Sequence, residues 1–395
     1  MRKLRVGVWI NNNISATLGG GPGYYSEIIE CISRTKFINA DICFIGEQAL
    51  GSTDFGIYKY FSVKNIRSNK YLLIKIIGGI ISKLFHIKAI SKIYYKISHK
   101  SKLKQYDQLL KLCDIIYYPT PMCKFPDFPF ICTLWDLGYL NTFAFPEVTS
   151  YENFEKKKYH NEVTLFKALM IFCESDAGKK EAVKYLNINE DRVRILPLFP
   201  SKVISENLLP SKPEVVDQEC MFIHYPAQFW PHKNHFNLLQ AFKEVCDKFP
   251  GLKLLFTGSD QGNKDYIFEA INELGLSGSV IDLGFITLAE LKWIYIHSKG
   301  LVMPTLIGPT NMPPLEALAL GCPVAVSDMP GHREQLEDNA IYFNPLDIND
   351  IKRSIESLLE NKNERKPVSV PTVNDNMELL DKYFGELKSV RQMWR

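Results

Sequence analysis

Two stretches of this 395-residue chain carry residue types and spacings that could do chemistry. In the first, Gly19-Gly20-Gly21-Pro22-Gly23 follows a short β-rich segment and leads into helically spaced apolar residues from Tyr24. Glycines there let backbone N–H groups approach an anion at a helix N-terminus, where the dipole favours negative charge. A tight turn that tolerates glycine is the plainer alternative. A dinucleotide fingerprint fits less well, because its spacing is not met and no acidic residue closes the second strand. The second stretch is Pro304-Thr305-Leu306-Ile307-Gly308-Pro309-Thr310-Asn311-Met312-Pro313-Pro314-Leu315-Glu316. A strand ends at Pro304, a proline-bearing loop offers amides near Asn311 and Met312, and Pro314 suits a first helical turn. Glu316 would then lie in that turn, where a carboxylate can accept from a ribose diol while amides meet phosphate oxygens. An acid that merely complements the helix dipole is the alternative. The eight histidines show no His-x-x-x-His or His-Glu-x-x-His spacing and no Asp-x-Asp occurs, so no metal site is expected.

Positioning such residues requires strands that deliver loops to one edge. Leu4 to Ile10, Ile42 to Ile45, Ile115 to Tyr118 and Phe130 to Leu134 read as strands, and Tyr24 to Ser33, Tyr151 to Phe166 and Ser175 to Leu186 as helices. A second set follows, with strands at Met221 to Tyr225, Leu252 to Thr257, Val280 to Leu283, Gly300 to Pro304 and Val324 to Ser327. Its helices are Asn234 to Phe249, Asp265 to Glu273, Ala289 to His297 and Pro314 to Leu320. Strands alternating with helices of this length imply an α/β protein with two parallel, Rossmann-like sheets. Ligands bind beyond the carboxyl ends of such strands, and two facing sheets make a cleft. The expected division is an N-terminal domain over 1–200, a linker over 201–218 rich in proline, serine and asparagine nearby, a C-terminal domain over 219–370, and a helical segment over 371–395 that packs back on the first domain.

The net charge of +3 conceals a polarised chain. Between Asp54 and Asp107 there is no acidic residue and there are twelve lysines and arginines, so the rest carries 35 basic against 44 acidic residues. Within this 59–104 stretch Leu84, Ile87, Ile90, Ile93, Tyr94 and Ile97 fall on one side of a helix, with Lys88, Lys92, Lys96 and Lys100 on the other. Such a helix suits an anionic membrane surface, at roughly 1 kcal/mol per nearby basic residue; a solvated face over a packed apolar side is the alternative. No nucleic-acid motif accompanies the charge. Nine scattered cysteines without Cys-x-x-Cys signal neither a disulfide framework nor zinc and point to a reducing cytoplasm. No signal peptide or membrane-spanning run is expected.

The loop from Pro304 resembles the retaining glycosyltransferases of the family 4 type, whose signature is Pro-Ser-x-x-Glu-Gly-Phe-Gly-x-Pro-x-Leu-Glu-Ala followed by Gly-x-Pro. The chain matches at Pro304, Thr305, Pro313, Leu315, Glu316, Ala317, Gly321 and Pro323. Asp282-Leu283-Gly284-Phe285, Glu290-Leu291 and Gly258-Ser259-Asp260 are similar to further family segments, so the likeness runs from the first strand to about Pro345. The resemblance implies the GT-B architecture, with two facing Rossmann-like domains.

The resemblance also implies roles for single residues. The family pairs an arginine with a lysine on the donor diphosphate; here Lys233 is kept and Gln228 replaces the arginine. The family's first glutamate, eight residues before Glu316, is Gly308, which raises a deoxy or modified donor sugar as a hypothesis. The strand-end His-Asp-Leu becomes Trp135-Asp136-Leu137, followed by Phe145-Pro146-Glu147, and Ser175 resembles the family's helix start, where it reads as an N-cap. The implied donor site comprises Gly20, Gly21, Lys233, Gln228, Gly258, Phe285, Thr310, Asn311, Met312, Leu315 and Glu316. The acceptor side comprises Gly23, Tyr24, Trp135 and Asp136, with Lys233, Asp136 and Gln228 nearest the chemistry. Either His232 or His235 could touch phosphate, though surface or capping roles suit them better. The implied activity is metal-independent sugar transfer, with retention, from a nucleotide diphosphate to a polysaccharide, oligosaccharide or lipid-linked acceptor in bacterial surface-glycan biosynthesis. No cofactor and no nucleic acid partner are expected, and the location would be cytoplasmic, at the inner leaflet through the basic segment. A nucleotide-sugar epimerase of the same architecture and a non-catalytic nucleotide-sugar binder are the alternatives.

Overall fold

The structure, a computed structural model, describes residues 2–11, 20–47, 55–63, 106–141, 144–149, 151–217, 219–360 and 366–393. The basic helix expected over 80–100, with the rest of 64–104, lies outside the described residues, as does Gly19. The first sheet contains β1 (Leu4–Trp9), β2 (Ala40–Gly46), β3 (Tyr60–Ser62), β4 (Ile115–Tyr118), β5 (Phe130–Thr133), β6 (Met170–Cys173) and β7 (Val193–Ile195). All its pairings are parallel, in the order β3-β2-β1-β4-β5-β6-β7. The second contains β8 (Phe222–Pro226), β9 (Lys253–Thr257), β10 (Val280–Asp282), β11 (Leu301–Met303), β12 (Val324–Ser327) and β13 (Ile341–Phe343), ordered β10-β9-β8-β11-β12-β13. The two Rossmann-like sheets expected from the alternation are therefore present. β4, β5, β6 and β12 are buried along their whole length, the uninterrupted apolar pattern of strands covered on both faces.

The covering helices are α1 (Gly20–Arg34), α2 (Tyr151–Tyr159), α3 (Asp176–Leu186), α4 (His235–Lys248), α5 (Lys264–Glu273), α6 (Leu288–His297), α7 (Met312–Ala319), α8 (Pro330–Leu336), α9 (Ile348–Glu360) and α10 (Val373–Arg391). The second core gathers Leu238, Phe242 and Val245 of α4 with Phe256, Val302, Leu315 and Ile355. α10 returns to the first domain, where Leu380, Phe384 and Leu387 join Ile28, Ile32 and Phe37 in one cluster. Tyr383 donates to the Ile195 carbonyl at 2.7 Å and Asp381 accepts from the Asn39 amide at 2.9 Å, so polar groups lock the register that the apolar stripe provides. No helix among the described residues is long and apolar enough to cross a membrane.

Three local expectations change. The helix expected over Tyr151 to Phe166 is regular α only to Tyr159 and continues as a wider π turn over His160–Thr164. α7 starts at Met312, so Glu316 is its fifth residue and lies beyond the first turn. α1 starts at Gly20, before Tyr24, so the glycines form its first turn as well as the loop.

Candidate active site between the domains

In both sheets the strand order reverses between two parallel neighbours, β1 and β4 in the first and β8 and β11 in the second. Loops after such strands diverge and leave a crevice. Residues following β5, β6, β8 and β11 line one interdomain cavity of about 430 Å³. The first domain contributes Gly21 and Tyr24 of α1, Trp135, Asp136, Glu147 and Glu174; the second contributes Gln228, Trp230, His232, Lys233 and the run Ile307 to Pro313.

Lys233 is set by a tight turn, Pro231–Lys233, whose proline pre-forms the first φ. Its N–H donates to the Trp230 carbonyl at 3.0 Å and its carbonyl accepts from the Tyr225 hydroxyl at 2.7 Å. Asn234 then takes a left-handed φ of 58°, and its side chain donates to the Pro304 and Pro345 carbonyls at 3.1 and 2.8 Å. Asparagine tolerates that conformation, and these bonds offset its cost. The Lys233 amine lies 3.4 Å from Asn311 Oδ1 and forms no ion pair among the described residues. Burial pulls its pKa down to about 8, with the Asp136 charge acting the other way.

Gln228, in the position of a charged partner, has its amide engaged: Nε2 donates to Ser259 Oγ at 2.9 Å and Oε1 accepts from Trp230 Nε1 at 3.1 Å. It holds the wall of the cavity. Gly258 supports this wall from behind, because a Cβ there would run into the Ala227 carbonyl at a φ of 151°. Gly258 is thus a packing residue for the Gln228 loop and does not line the cavity.

At α7 the expectation of several free amides is corrected. Pro313 and Pro314 have no N–H, and the Asn311 N–H donates to Gln335 Oε1 at 3.1 Å, which leaves Met312 among residues 311 to 314. Thr310 Oγ1 has no hydrogen-bond partner among the described residues, and its residue lines the cavity. Gly308 has a φ of 103°, so a glutamate at this position would be strained on the present backbone. The missing carboxylate therefore goes with a different loop shape and is more than a side-chain deletion.

Glu316 is buried away from the cavity. Its Oε1 accepts from the Ser201 hydroxyl at 2.5 Å and Oε2 from the Tyr295 hydroxyl at 2.9 Å. Burial raises its pKa despite these bonds. A ribose could reach Oε1 only by displacing Ser201. Leu315 is a core residue, 1% exposed. Phe285 is 64% exposed and does not line the cavity, and neither does Gly23.

On the first domain's side, Trp135 packs over α1: a Cβ on Gly21 would sit 2.8 Å from its ring. Its indole N–H has no partner among the described residues. Asp136 both lines the cavity and caps the next turn, Oδ1 accepting from the Gly138 N–H at 3.0 Å. Ser175 caps α3 as expected, its hydroxyl accepting from Gly178 N–H at 3.0 Å. His235 is neither a surface nor a phosphate residue: it is buried, stacked on Phe229 at 4.7 Å, with a pKa lowered to about 3 by burial.

Two cavity residues had no assigned role. Glu147 Oε1 accepts from His232 Nδ1 at 2.7 Å, bridging the domains. Burial works against the Glu147 charge, but the His232 bonds outweigh it and its pKa falls, while burial keeps His232 neutral. Glu174 follows β6, and burial lifts its carboxyl to about 8, with the Asp136 charge adding to the rise. Glu147 follows Pro146 and Glu174 precedes Ser175 in the sequence, and only the tertiary fold reveals that they face the cavity. A second bridge joins the domains where Glu334 of α8 accepts from the Asp176 and Ala177 N–H groups at the start of α3, at 2.6 and 3.0 Å.

Residues 211–369 match the family described as glycosyl transferases group 1. The O-antigen chain mannosyltransferase RfbU of Salmonella typhimurium is 26% identical over 219 residues, covering 55% of this chain and 56% of that protein. The chain thus matches about half the length of the curated relatives it resembles. Among solved structures, WaaG, a glycosyltransferase involved in lipopolysaccharide biosynthesis, superposes with a TM-score of 0.61 at 12% identity, covering 96% of this chain and 95% of that one. Anabaena HepE in complex with UDP-glucose gives 0.59 at 15% identity, with 99% of both chains covered.

Proposed function

From the premise that residues 211–369 form a glycosyl transferases group 1 domain on a GT-B scaffold, we propose that the chain transfers a sugar from a nucleoside diphosphate to a glycan or lipid-linked acceptor, with retention and without a metal. The observation that carries the proposal is Lys233: a half-buried side chain at the topological switch of the second sheet, its amine without a carboxylate partner among the described residues and facing the interdomain cavity. An unpaired buried cation is costly and is relieved by an anion. A diphosphate supplies that anion, and UDP-glucose in HepE and the O-antigen role of RfbU are consistent with it.

The residues then divide the work. Lys233 meets the charge that grows on the departing phosphate, Thr310 Oγ1 and the Met312 N–H add neutral donors, and Glu316 takes the ribose once Ser201 yields. The sugar extends toward Trp135, whose free indole N–H and flat face suit a pyranose, with Tyr24 and Gly21 at the junction. The bond from the anomeric carbon to phosphate oxygen breaks, the bond to the acceptor oxygen forms on the same face, and the hydroxyl proton passes to the departing phosphate oxygen. Asp136 and the neutral Glu174 line the acceptor side, one accepting and one able to donate. Electrostatic preorganisation is the main contribution of the protein. The 59–104 segment brings this half to an anionic leaflet at the cytoplasmic face; retention on vesicles rich in anionic lipid at low salt, lost at high salt, is the expected behaviour.

The test is to incubate the protein with a panel of nucleotide sugars and membrane-extracted lipid acceptor, and to read the product anomer by NMR. A product with the donor's anomeric configuration supports the proposal. Isomerised donor in the absence of acceptor, or an inverted product, overturns it.

A further inference from the structure

Resting on the reading of Lys233 as the phosphate-binding cation, we infer that His332 is a positioning residue that dictates, through Asn311, which atom the Lys233 amine meets. Three contacts run in series. His332 Nδ1 lies 2.8 Å from the Ser327 carbonyl oxygen, His332 Nε2 lies 2.9 Å from Asn311 Nδ2, and the Lys233 amine lies 3.4 Å from Asn311 Oδ1. A carbonyl can only accept, so Nδ1 carries the ring proton and Nε2 is left as a lone pair. A lone pair requires a donor, so the amide nitrogen of Asn311 must face His332 and its oxygen must face Lys233. Rotated by half a turn, the same amide would oppose an N–H to an ammonium and an oxygen to a lone pair. The imidazole tautomer thereby sets the polarity of the wall opposite the cation.

The surrounding structure makes the relay rigid. His332 is fully buried, and burial lowers its pKa to about 4 so that it stays neutral, the Lys233 charge acting in the same direction. Gln335, one turn further along α8, accepts the Asn311 backbone N–H at 3.1 Å, so α8 holds this residue by both main chain and side chain. The close approach depends on Gly331, where a Cβ would collide with the Pro309 carbonyl. The other titratable or charged groups around the amine are Asp136 from the first domain, and His232 and His235 from its own segment. None of these makes the Asn311 contact.

The experiment reads Lys233 directly in the 395-residue chain without ligand. The rate of its acetylation by acetic anhydride, followed by peptide mass spectrometry across pH, gives the titration midpoint of the amine. A hydrogen bond to the charged form raises a pKa. His332→Leu and Asn311→Ala should therefore lower the midpoint relative to wild type, and His332→Gln, which restores an acceptor near Nε2, should bring it back. In parallel, pyrophosphate affinity should fall roughly tenfold in His332→Leu, the size of effect expected for a lost charge-assisted contact, with no further loss when Lys233→Ala already lacks the amine. An unchanged midpoint in the folded variants, or additive losses in the double variant, overturns the relay. If Lys233→Ala binds pyrophosphate as wild type does, the phosphate reading fails while the midpoint still decides the relay. Asn311→Ala leaves the buried imidazole in place, so a folding defect in His332→Leu does not remove the test.

Discussion

Replacing Lys233 by methionine, which keeps an unbranched side chain one atom shorter and removes its charge, should stabilise the ligand-free protein while removing its affinity for diphosphates. Burial lowers the amine from 10.5 to about 8, against a weaker pull from Asp136. At about 1.4 kcal/mol per pKa unit this is on the order of 3 kcal/mol of unfavourable charge burial, an upper bound because water in the cavity screens part of it. The whole penalty applies below the folded pKa. Between about 8 and 10.5 the unfolded chain binds the proton and the folded protein does not, so wild-type stability gains on that of the variant as pH rises through this window. Urea denaturation of both proteins at neutral pH and at about pH 10 measures the gap. The expected result is a variant more stable at neutral pH, with an advantage that shrinks in alkali. A variant less stable at neutral pH, or an advantage that ignores pH, would refute the picture of Lys233 as a cation kept in place for an anionic ligand.

Further outcomes follow from the same geometry. Gly21→Ala places a Cβ 2.8 Å from the Trp135 ring, so transfer should slow while nucleoside diphosphate affinity, measured by calorimetry, stays unchanged; an equal loss of both would tie α1 to the phosphates instead. Gly308→Glu should cost about 1 to 2 kcal/mol of stability, because φ of 103° disfavours any side chain, and should not improve donor binding; a gain in either would mean that the loop is free to adopt the form of the family's glutamate. Glu174 is lifted from 4.5 to about 8 by burial first and Asp136 second. The folded protein then keeps a proton that the unfolded chain loses, so Glu174→Gln should be more stable than wild type by an amount that grows from acid pH to about 8 and then levels off. A constant difference across that range would show Glu174 ionised in the fold.

Much of the architecture is legible in the sequence because parallel strands leave continuous apolar runs between glycine and proline breaks. Ile115 to Tyr118 and Val324 to Ser327 are read this way without ambiguity. Met170 to Cys173 was not, since four apolar residues shortly after a long helix carry no period that separates strand from helix. β7 and β13, three residues each, are not read as strands either. The loops of the site are legible from Pro304 to Glu316 and around Lys233, where prolines and a lone basic residue stand out. What each side chain meets is not. Glu316 is satisfied by Ser201, 115 residues away in sequence, Glu147 by His232 across the domain boundary, and Gln228 by Ser259 on the neighbouring strand's loop. His332 belongs to no motif and becomes informative only when its two ring nitrogens are placed between a carbonyl and an amide.

Calorimetric titration of UDP, GDP and dTDP into wild-type protein and Lys233→Ala, with chelator present, bears on the diphosphate site itself. Saturable binding of at least one nucleotide by the wild type, weakened by about tenfold or more in the variant, is the expected result. Equal binding by both proteins, or no binding of any of the three by the wild type, would contradict the assignment of Lys233 and the interdomain cavity to a nucleoside diphosphate sugar.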